Sequence, residues 1–557
     1  MATRYWVGGG AGNRNGTWSS TTSWSATSGG SGGATVPTSA DSVVFDQSGT
    51  YTVTTTNTSM SSLNVSDSGT GTITVAGNNS NWNVYGTWGT NRLSVQTNYV
   101  TLRATAASSY NIYNGQGFPC SSGGGAYPAY GVYFQGGAST IFSIQGSMLI
   151  SQLWHESGTI KLNGYSLSVY AGSFTNSGGT STKSIDFSNV GTIVCTTLAN
   201  VNCINLPTVN NYSFANYTTS NVSSPWGYDM TGGFVIDSDS RGRTITFGNT
   251  AGGTSTASLP IYDLTSTSGG VITITSNTWI DLLQIRGGTV PEFPGTPTVN
   301  TRGIINIGGS NLCGNLRVVG RGTGPYYCNG SSIYSFTMSP TTQTTATLYS
   351  NVSMPGNLTL TLGNINTNGY QVSASGFSSN NSNIRALTLG ASTIQLSGSG
   401  TVWDTTTTAN LTLNANTSNI TLTSASTKTF AGGGLTYYNL KQSGAGALTI
   451  SGNNTFNDIL NTVQPTTVTL TSGTTQTVSN FSLSGNNGNL VTLNSSSAGS
   501  QATLSKSSGT VSVSYLSIQD SNATGGASWN AGPTSTNVSN NTGWIFVNGA
   551  MILMFFT

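Results

Sequence analysis

The sequence predicts an all-β protein whose chain forms a parallel β-helix or β-solenoid rod with an N-terminal β cap and loop excursions. Three observations lead to this fold class. Charged side chains are scarce, and short segments in which apolar and polar residues alternate recur from one end of the chain to the other. One 12-residue segment is also repeated about 200 residues further along the chain. Internal repetition of this kind predicts stacked supersecondary units rather than separate globules.

The composition separates the chain from several classes of protein. The 557 residues include only 16 Lys and Arg and 14 Asp and Glu, and aromatic residues reach 9%. A disordered chain has fewer aromatic and β-branched residues, so a buried core is expected. No cluster of Lys and Arg is present, and no nucleic-acid partner is therefore predicted. The five Cys lack metal-ligand spacing, and neither a metal nor a cofactor is expected.

Short strands are predicted along the whole chain, and no helix is. Apolar and polar residues alternate in brief segments that Gly, Asn or Ser residues bound on either side. In chain order these segments include TITV (72–75), TIKL (159–162), SLSV (166–169), TITF (244–247), VITIT (271–275), LTLTL (358–362), ITL (420–422), VTL (468–470) and VSVSYLSI (511–518). No stretch of helical length has apolar residues at a period of 3.6.

The repeated phrase is GTIKLNGYSLSV (158–169), which returns as GNINTNGYQVSA (363–374). Its Asn-Gly pair is expected to turn the corner of a coil. Apolar positions correspond over a longer span: Ile160, Phe174, Ile185 and Ile193 match Ile365, Phe377, Leu387 and Ile394. Such spacing is typical of solenoid turns with two or three short strands. A string of immunoglobulin-like sandwiches is the alternative, but the sequence lacks their Cys and Trp pattern.

These patterns predict the domain organisation. We expect a Trp-rich cap or attachment region (1–50), the start of the solenoid (51–150) with an aromatic excursion (103–138), a central solenoid (151–430) with excursions at 205–230 and 287–330, a C-terminal solenoid (431–546) and an apolar tail (547–557). Binding residues on a repetitive scaffold tend to lie in such excursions. Functional residues are therefore expected in the excursions and at the two ends.

The three excursions are rich in aromatic residues, Gly and Pro. The candidates for contact with a receptor or glycan are Tyr110, Tyr113, Tyr127, Tyr130, Tyr212, Tyr217, Trp226, Tyr326 and Tyr327. The alternative is that aromatic side chains in these segments pack the loops against the coils or against another subunit.

Both ends hold candidate attachment residues. Trp6, Trp18 and Trp24 are the candidates near the N-terminus, and packing a cap over the open end of the solenoid is their alternative role. The apolar tail AMILMFF (550–556) contributes Met551, Leu553, Phe555 and Phe556, which a subunit or virion interface would bury. The tail is much shorter than a membrane span, so no membrane insertion is expected, and the first residues lack the apolar region of a standard signal peptide.

Two parts of the chain carry a recognisable pattern. The first 46 residues contain YWVGG, Trp18, Trp24, a GGSGGA run and VPTSADSVVFD (36–46). The second half contains NTNGYQVSASGF, LTLGASTIQLSGSGTVW (387–403), KTFAGGGLTYYNL (428–440), LSKSSGTVSVSYLSIQDSNATGGASW (504–529) and NNTGWIF (540–546). These segments resemble repetitive β-solenoid proteins of bacteriophage virions, and also some bacterial passenger-type adhesins.

The resemblance implies a structural virion protein: an elongated fibre or spike on the particle surface that contacts a host cell-surface glycan or protein. Its expected partners are other virion proteins and further copies of itself, as a homotrimer. A head-attached fibre or decoration protein, a bacterial surface adhesin and a glycan-degrading tailspike are the alternatives. The resemblance supplies no catalytic residues.

No enzymatic activity is predicted. Glycan cleavage requires either two carboxyl groups about 5 to 10 Å apart or an Arg or Lys base near acidic residues, as Arg241 and Arg243 are near Asp237 and Asp239 in the sequence. The candidates are Asp237 with Asp239, Asp404, and the adjacent His155 and Glu156. The first pair is typical of a turn with locally hydrogen-bonded carboxylates, and a single His beside one Glu is more often structural.

Overall fold

The computed structural model describes residues 2–9, 12–65, 71, 73–76, 81–86, 88–90, 93–96, 99–103, 109–114, 131–150, 152–169, 174–175, 182–195, 202–206, 212–215, 218–220, 229–231, 233–238, 243–247, 259–266, 272–275, 278–285, 298–301, 303–306, 317–328 and 332–546. In this part of the chain lie 61 β-strands and two 3₁₀ helices, Thr21–Ser23 and Ser188–Val190, and no α-helix. The chain divides into two compact units, residues 1–300 with 306–312 and residues 301–305 with 313–557.

The strands of the first unit are β1 (Thr3–Trp6), β2 (Gly16–Thr17), β3 (Trp24–Ser25), β4 (Ser42–Phe45), β5 (Tyr51–Thr54), β6 (Thr58–Met60), β7 (Ser62–Val65), β8 (Ile73–Ala76), β9 (Asn81–Val84), β10 (Trp88–Thr90), β11 (Leu93–Gln96), β12 (Tyr99–Arg103), β13 (Ser109–Asn114), β14 (Gly131–Gln135), β15 (Ile141–Ile144), β16 (Met148–Ile150), β17 (Gln152–His155), β18 (Gly158–Lys161), β19 (Ser166–Val169), β20 (Phe174–Thr175), β21 (Lys183–Asp186), β22 (Thr192–Cys195), β23 (Asn202–Leu206), β24 (Tyr212–Ala215), β25 (Thr218–Ser220), β26 (Asp229–Thr231), β27 (Gly233–Ser238), β28 (Arg243–Phe247), β29 (Leu259–Ser266), β30 (Ile272–Thr275) and β31 (Thr278–Ile285).

The strands β32 (Thr298–Thr301) and β33 (Gly303–Asn306) lie where the sequence passes from the first unit to the second. The strands of the second unit are β34 (Arg317–Gly320), β35 (Gly324–Tyr327), β36 (Ser335–Met338), β37 (Thr345–Leu348), β38 (Val352–Ser353), β39 (Leu358–Leu360), β40 (Gly363–Asn366), β41 (Val372–Ala374), β42 (Phe377–Ser378), β43 (Arg385–Thr388), β44 (Thr393–Leu396), β45 (Gly400–Asp404), β46 (Leu411–Asn414), β47 (Asn419–Leu422), β48 (Lys428–Ala431), β49 (Thr436–Gln442), β50 (Leu448–Ser451), β51 (Thr455–Asn461), β52 (Thr466–Leu470), β53 (Thr475–Ser482), β54 (Val491–Ser495), β55 (Ala502–Ser505), β56 (Thr510–Ser512), β57 (Leu516–Gln519), β58 (Ser521–Thr524), β59 (Ser528–Asn530), β60 (Thr536–Ser539) and β61 (Trp544–Ile545).

In the first unit the chain winds into coils with three faces, and each face is a parallel ladder of strands. One face has the order β24-β21-β18-β15-β13-β10-β7-β4-β1, and another has the order β30-β28-β23-β20-β17-β14-β12-β9-β6. The remaining face is β11-β8-β5-β2 in the early coils and β16-β19-β22-β27-β29-β31 in the later ones. Most strands pair in register with the strand one coil later, as Ile160 does with Ile185, and the pairings β23–β28, β27–β29 and β29–β31 contain register shifts.

The second unit is also coiled. One ladder runs β34-β36-β39-β42-β45-β48-β50-β52-β54-β57-β60, and a second runs β33-β35-β37-β40-β43-β46. The third runs β38-β41-β44-β47-β49-β51-β53-β55-β58, and β56-β59-β61 forms a short fourth ladder. Ile365 pairs with Leu387 as Ile160 pairs with Ile185. Both units are therefore parallel β-solenoids, which confirms the predicted fold class.

The core is built from the inward positions of the alternating strands. In β19, Leu167 and Val169 are buried and Ser166 and Ser168 are partly exposed. Equivalent inward residues of successive coils stack into columns, of which one consists of Ile394, Ile420, Leu440, Ile459 and Phe481. Burial of each such side chain contributes about 1.5–3 kcal/mol, and every added coil repeats this contribution.

Outward side chains are mostly small and polar and bond to the coil before them. In the asparagine ladder (Asn419, Asn439, Asn457), Asn439 Nδ2 donates to Asn419 Oδ1 at 2.9 Å and Asn457 Nδ2 donates to Asn439 Oδ1 at 2.9 Å. In the first unit, Ser62 Oγ donates to Ser42 Oγ at 2.9 Å. Uncharged groups that both donate and accept suit such stacking, because each residue meets its like one rung away.

The repeated Asn-Gly pair turns the same corner in both units. Asn163 and Gly164 have φ of 53° and 90°, and Asn368 and Gly369 have φ of 54° and 82°. Each turn closes through a backbone hydrogen bond of 2.9 Å, from Tyr165 N to Leu162 O and from Tyr370 N to Thr367 O. Both Asn side chains also donate to a carbonyl of the preceding coil, Ile144 O at 3.0 Å and Leu348 O at 3.2 Å. The Asn-Gly segment is repeated in the sequence because the same turn is needed at the equivalent corner of a coil in each unit.

Candidate functional site

The N-terminal tryptophans form a closed aromatic cluster. Trp6, Trp18 and Trp24 are 0–2% exposed, and Trp24 lies 5.0 Å from Trp6 and 4.7 Å from Trp18 between ring centroids. Trp24 Nε1 donates to Trp18 O at 2.7 Å, and the cluster rests on Phe45 of the first coil. These three side chains hold a cap together and present no surface for attachment.

Two of the predicted contact residues lie on β35 of the second unit. Tyr326 is 2% exposed, packs edge-on against Phe336 at 4.8 Å, and donates its hydroxyl to Thr301 O at 3.0 Å. Tyr327 alternates to the outside and is partly exposed. Tyr326 is thus a core residue, and Tyr327 is the member of the pair that solvent reaches.

Three other candidates belong to strands of the coil and not to loops. Tyr110 and Tyr113 lie on β13, and Tyr212 lies on β24, in the same parallel ladder. The antiparallel pair β25–β26 is the part of the second predicted excursion that leaves the parallel ladders among the described residues. The remaining candidates lie outside the described residues and stay predictions: Tyr127, Tyr130, Tyr217, Trp226, Met551, Leu553, Phe555 and Phe556.

Two of the groups considered for catalysis, His155 and Asp404, are engaged in local bonds. His155 is fully buried, with Nε2 2.9 Å from Gly158 O, and burial together with the charge of Lys183 lowers its pKa to about 3. Glu156 follows on the opposite face and is partly exposed. Asp404 accepts from Thr406 Oγ1 at 2.7 Å within a turn. Asp237 lies on β27 and Asp239 outside the described residues.

An aromatic patch that sequence reasoning missed lies on the outer face of β14 and β17. We define it as Tyr133, Gln135, Gln152, Trp154 and Glu156, which are all partly exposed. Tyr133 and Trp154 are in register, and their rings stack with centroids 4.3 Å apart and planes 1° from parallel. The alternation of Tyr133 with two buried neighbours was a usable signal, but the Gly- and Tyr-rich segment before it obscured the strand.

Two buried cations of the second unit also escaped prediction. Arg385, 1% exposed, donates to the carbonyl oxygens of Ser379, Asn383, Thr407 and Ala409 and to Ser379 Oγ.

Lys428 is fully buried in the same unit, and its Nζ donates to Ser424 O and Gly446 O at 2.8 Å each. Burial lowers its pKa to about 8. Each cation joins carbonyl oxygens of two successive coils, Arg385 those of Asn383 and Ala409 and Lys428 those of Ser424 and Gly446, so we interpret their role as structural.

No family model, curated protein or solved structure matches the chain. Among the described residues there is no group of three or more His, Cys, Asp or Glu that would hold a metal ion. That part of the chain also contains no helix long and apolar enough to cross a membrane. The fold and the outer surfaces of its coils are therefore the basis for a functional proposal.

Proposed function

We propose that this chain is a structural protein of a bacteriophage particle, an elongated fibre or spike that projects from the particle and contacts the host surface. The observation that carries the proposal is the in-register stacking of coils through apolar columns inside and uncharged polar ladders outside. A solenoid gains length by adding coils without gaining width, which suits a projecting element. The resemblance of the N-terminal region and of the second half to phage β-solenoid proteins selects the virion among possible locations.

Contact with the host is expected to be binding and not cleavage. Glu156 is partly exposed on an outer face, and Asp404 accepts a hydrogen bond within its own turn. Other virion proteins and further copies of the chain are the proposed partners, and the particle surface is the proposed location. Host glycans or proteins are the proposed ligands.

Labelling of particles tests the location. Antibodies raised against the second unit are applied to purified phage and viewed by immunogold electron microscopy. Gold on tail appendages is the expected result, and gold on the head would instead assign a head fibre or decoration protein. Gold confined to the bacterial envelope would contradict the proposal and favour the adhesin.

Competition tests the contact with the host. Purified protein added before the phage is expected to slow adsorption in proportion to its concentration, because it occupies the same surface sites. The same protein is incubated with capsule and lipopolysaccharide, and reducing ends are measured. Accumulation of reducing ends would replace the binding proposal with the glycan-degrading alternative.

A further inference from the structure

A cleft lies in the N-terminal cap between the segment that follows β1 and the glycine-rich run GGSGGA (29–34). Its volume is about 430 Å³, within the range of pockets that bind small ligands. A Cβ on Gly12 would meet no described atom within 4 Å, and one on Gly29 would have Gln47 Nε2 as its nearest atom, at 3.8 Å. Both glycines therefore border open space. We call this the Arg14 cleft, and its lining includes Gly12, Arg14, Thr22, Gly29, Ser31 and Gly32.

The two walls of the Arg14 cleft are tied to the aromatic cluster of the cap. On one side, Trp6 Nε1 donates to Arg14 O at 3.0 Å. On the other side, Gly33 N lies 2.9 Å from Thr21 O and 3.0 Å from Trp24 O and donates to both. A ligand that enters the cleft would therefore find its walls already in place, and little ordering of the chain would oppose binding.

Arg14 carries hydrogen-bond donors that the chain does not use. Its Nη1 donates to Gln47 Oε1 at 2.7 Å, and its Nε and Nη2 have no acceptor in the part of the chain that the structure describes. In Arg4 of the same cap, by contrast, all three nitrogens donate to Thr3 or Thr35. Among the described residues of the lining, Arg14 is also the one charged side chain. The cleft thus holds a positive charge and unused donors, with no carboxylate in its described lining.

A carboxylate is the group that this arrangement would bind. A guanidinium presents two parallel N–H donors to the two oxygens of a carboxylate, which gives a strong and geometrically specific pair. Gly12 and Gly29 have φ of 81° and 64°, and their amide groups have no acceptor among the described residues. Backbone amides in turns of this kind form concavities that bind anions.

The rest of the lining suits a sugar better than a protein side chain. Thr22 and Ser31 are exposed in the lining, and their hydroxyl groups can both donate to and accept from the hydroxyl groups of a sugar. Protein partners are usually anchored by buried aromatic or aliphatic side chains. Among its described residues the lining offers Val7 as its hydrophobic side chain, which is too little for such an anchor.

We propose that the Arg14 cleft binds an acidic sugar, whose carboxylate pairs with the guanidinium of Arg14 and whose hydroxyl groups contact Thr22 and Ser31. Hexuronic acids and sialic acids are the class of ligand that carries both groups on one ring. This inference deepens the proposed function, because it rests on contact with a host-surface glycan and names the class of sugar.

The test titrates the full-length protein by calorimetry with oligosaccharides that end in a hexuronic or sialic acid. Each oligosaccharide is paired with a form in which the carboxyl group has been reduced to a hydroxymethyl group. The acidic form of the best ligand should bind at least about tenfold more tightly than its reduced form, because only the acidic form makes charged hydrogen bonds. Arg14→Gln should remove this difference, and Arg14→Lys should retain part of it, since Lys keeps the charge without the fork.

Arg4→Gln is the matched control, because it removes the same charge from the same cap outside the lining, and it should bind like the wild type. Ser31→Glu is a second test that leaves Arg14 in place. Ser31 makes no hydrogen bond among the described residues, and a carboxylate at this position would repel the ligand and compete for Arg14. Ser31→Gln, of nearly the same shape, should bind the acidic sugar more tightly than Ser31→Glu. Circular dichroism and thermal unfolding verify that each variant keeps its fold.

The outcomes separate this inference from the proposed function. Equal affinity for the acidic and the reduced forms, no binding to any acidic oligosaccharide, or equal affinity of Arg14→Gln and the wild type overturns the site even if the chain is found on the particle. Loss of phage adsorption in Arg14→Gln without saccharide binding would indicate a protein ligand and also overturns it. Binding of an acidic sugar by a chain that labels only the bacterial envelope would preserve the site and contradict the virion proposal.

Discussion

At the residue scale, the corners of the coils depend on residues with positive φ, and the sequence indicates some of these residues as Asn-Gly pairs. Asn163 and Asn368 adopt positive φ and reach back to the preceding coil, so one residue both turns the chain and ties two coils together. The turn was predictable because Asn-Gly favours it. The bond to the preceding coil was not, because it depends on which carbonyl the stacking brings near.

Two glycines of the second unit provide a matched comparison. A Cβ on Gly433 would lie 2.0 Å from Thr405 O, whereas a Cβ on Gly369 would have no neighbour within 4 Å, and both residues have positive φ. Gly369→Ala should therefore cost only the backbone strain of about 1–2 kcal/mol. Gly433→Ala should cost more than about 3 kcal/mol, because a backbone oxygen must also move. Urea unfolding of both variants measures the difference, and equal losses would contradict the close approach.

The buried Lys428 gives a prediction about pH. Its pKa is lowered to about 8 in the folded protein, so between that value and its usual range near 10.4 the unfolded chain binds more protons than the folded chain. Lys428 should therefore make the free energy of unfolding rise with pH from 8 to 9.5, by at most about 1.4 kcal/mol per pH unit, and this rise is opposed by Cys328, whose pKa burial raises to about 12. Urea unfolding at several pH values measures the slope.

Two variants isolate the contribution of Lys428. Lys428→Met should lower the slope above pH 8 by the contribution of this group, whereas Lys183, whose pKa burial also lowers, keeps its own contribution. Lys441→Met is the control, since Lys441 is partly exposed on the outer face of β49, and it should leave the slope unchanged. An equal slope in Lys428→Met and in the wild type would show that Lys428 does not contribute to it.

At the scale of the element, the strands follow the alternation of the sequence closely where turns are clear. The predicted segments TIKL and SLSV coincide with β18 and β19 within one or two residues, because Gly and Asn bound them. The strands β13 and β14 were missed as such, since the aromatic residues around them gave the segment the composition of a loop. The aromatic patch was not predicted either, because Tyr133 and Trp154 become neighbours only through the pairing of β14 with β17 in successive coils.

The asparagine ladder explains why strands of this kind carry little charge. Asn439 is in register with Asp458 of the next coil, and burial raises the pKa of Asp458. Asn439→Asp would place two carboxylates about one rung apart, at a Coulomb cost of about 1–2 kcal/mol at neutral pH. We expect this coupling energy in a double-mutant cycle with Asp458→Asn, measured by urea unfolding.

The cycle includes its own controls. Asn439→Asp also loses the hydrogen bond to Asn419, and this loss persists in the Asp458→Asn background, so the difference between the backgrounds isolates the repulsion. The coupling should disappear at pH 3, where the carboxylates are protonated. A coupling energy that is independent of pH would contradict the electrostatic explanation.

At the scale of the whole molecule, the N-terminal cap gives the first solenoid a defined beginning. The strand β1 pairs with β4 of the first coil, and Asp41 accepts hydrogen bonds from Ala2 N and Thr38 N at 3.0 Å each. The tryptophan pattern suggested such a cap, because exposed terminal coils present edges ready to pair. The sequence could not distinguish packing from attachment, since aromatic residues serve both roles.

Deletion of residues 1–41 should make the protein associate beyond the state of the full chain, because the edge of β4 and Phe45 lose their cover. Size-exclusion chromatography with light scattering measures the mass. Asp41→Ala, which loosens the cap without removing it, should give a smaller effect. A truncated chain with the same mass as the full chain would show that the cap does not protect the edge.

The in-register stacking of coils also determines which insertions and deletions in the gene the fold can accept. Because Ile160 meets Ile185 and Ile365 meets Leu387 through the same inward positions, a segment that begins and ends at equivalent corners can be duplicated or lost and still leave compatible neighbours. A single-residue insertion within a strand instead turns its apolar side chains outward. Genes for such chains are expected to drift in length by whole coils, and point insertions should survive only at the corners.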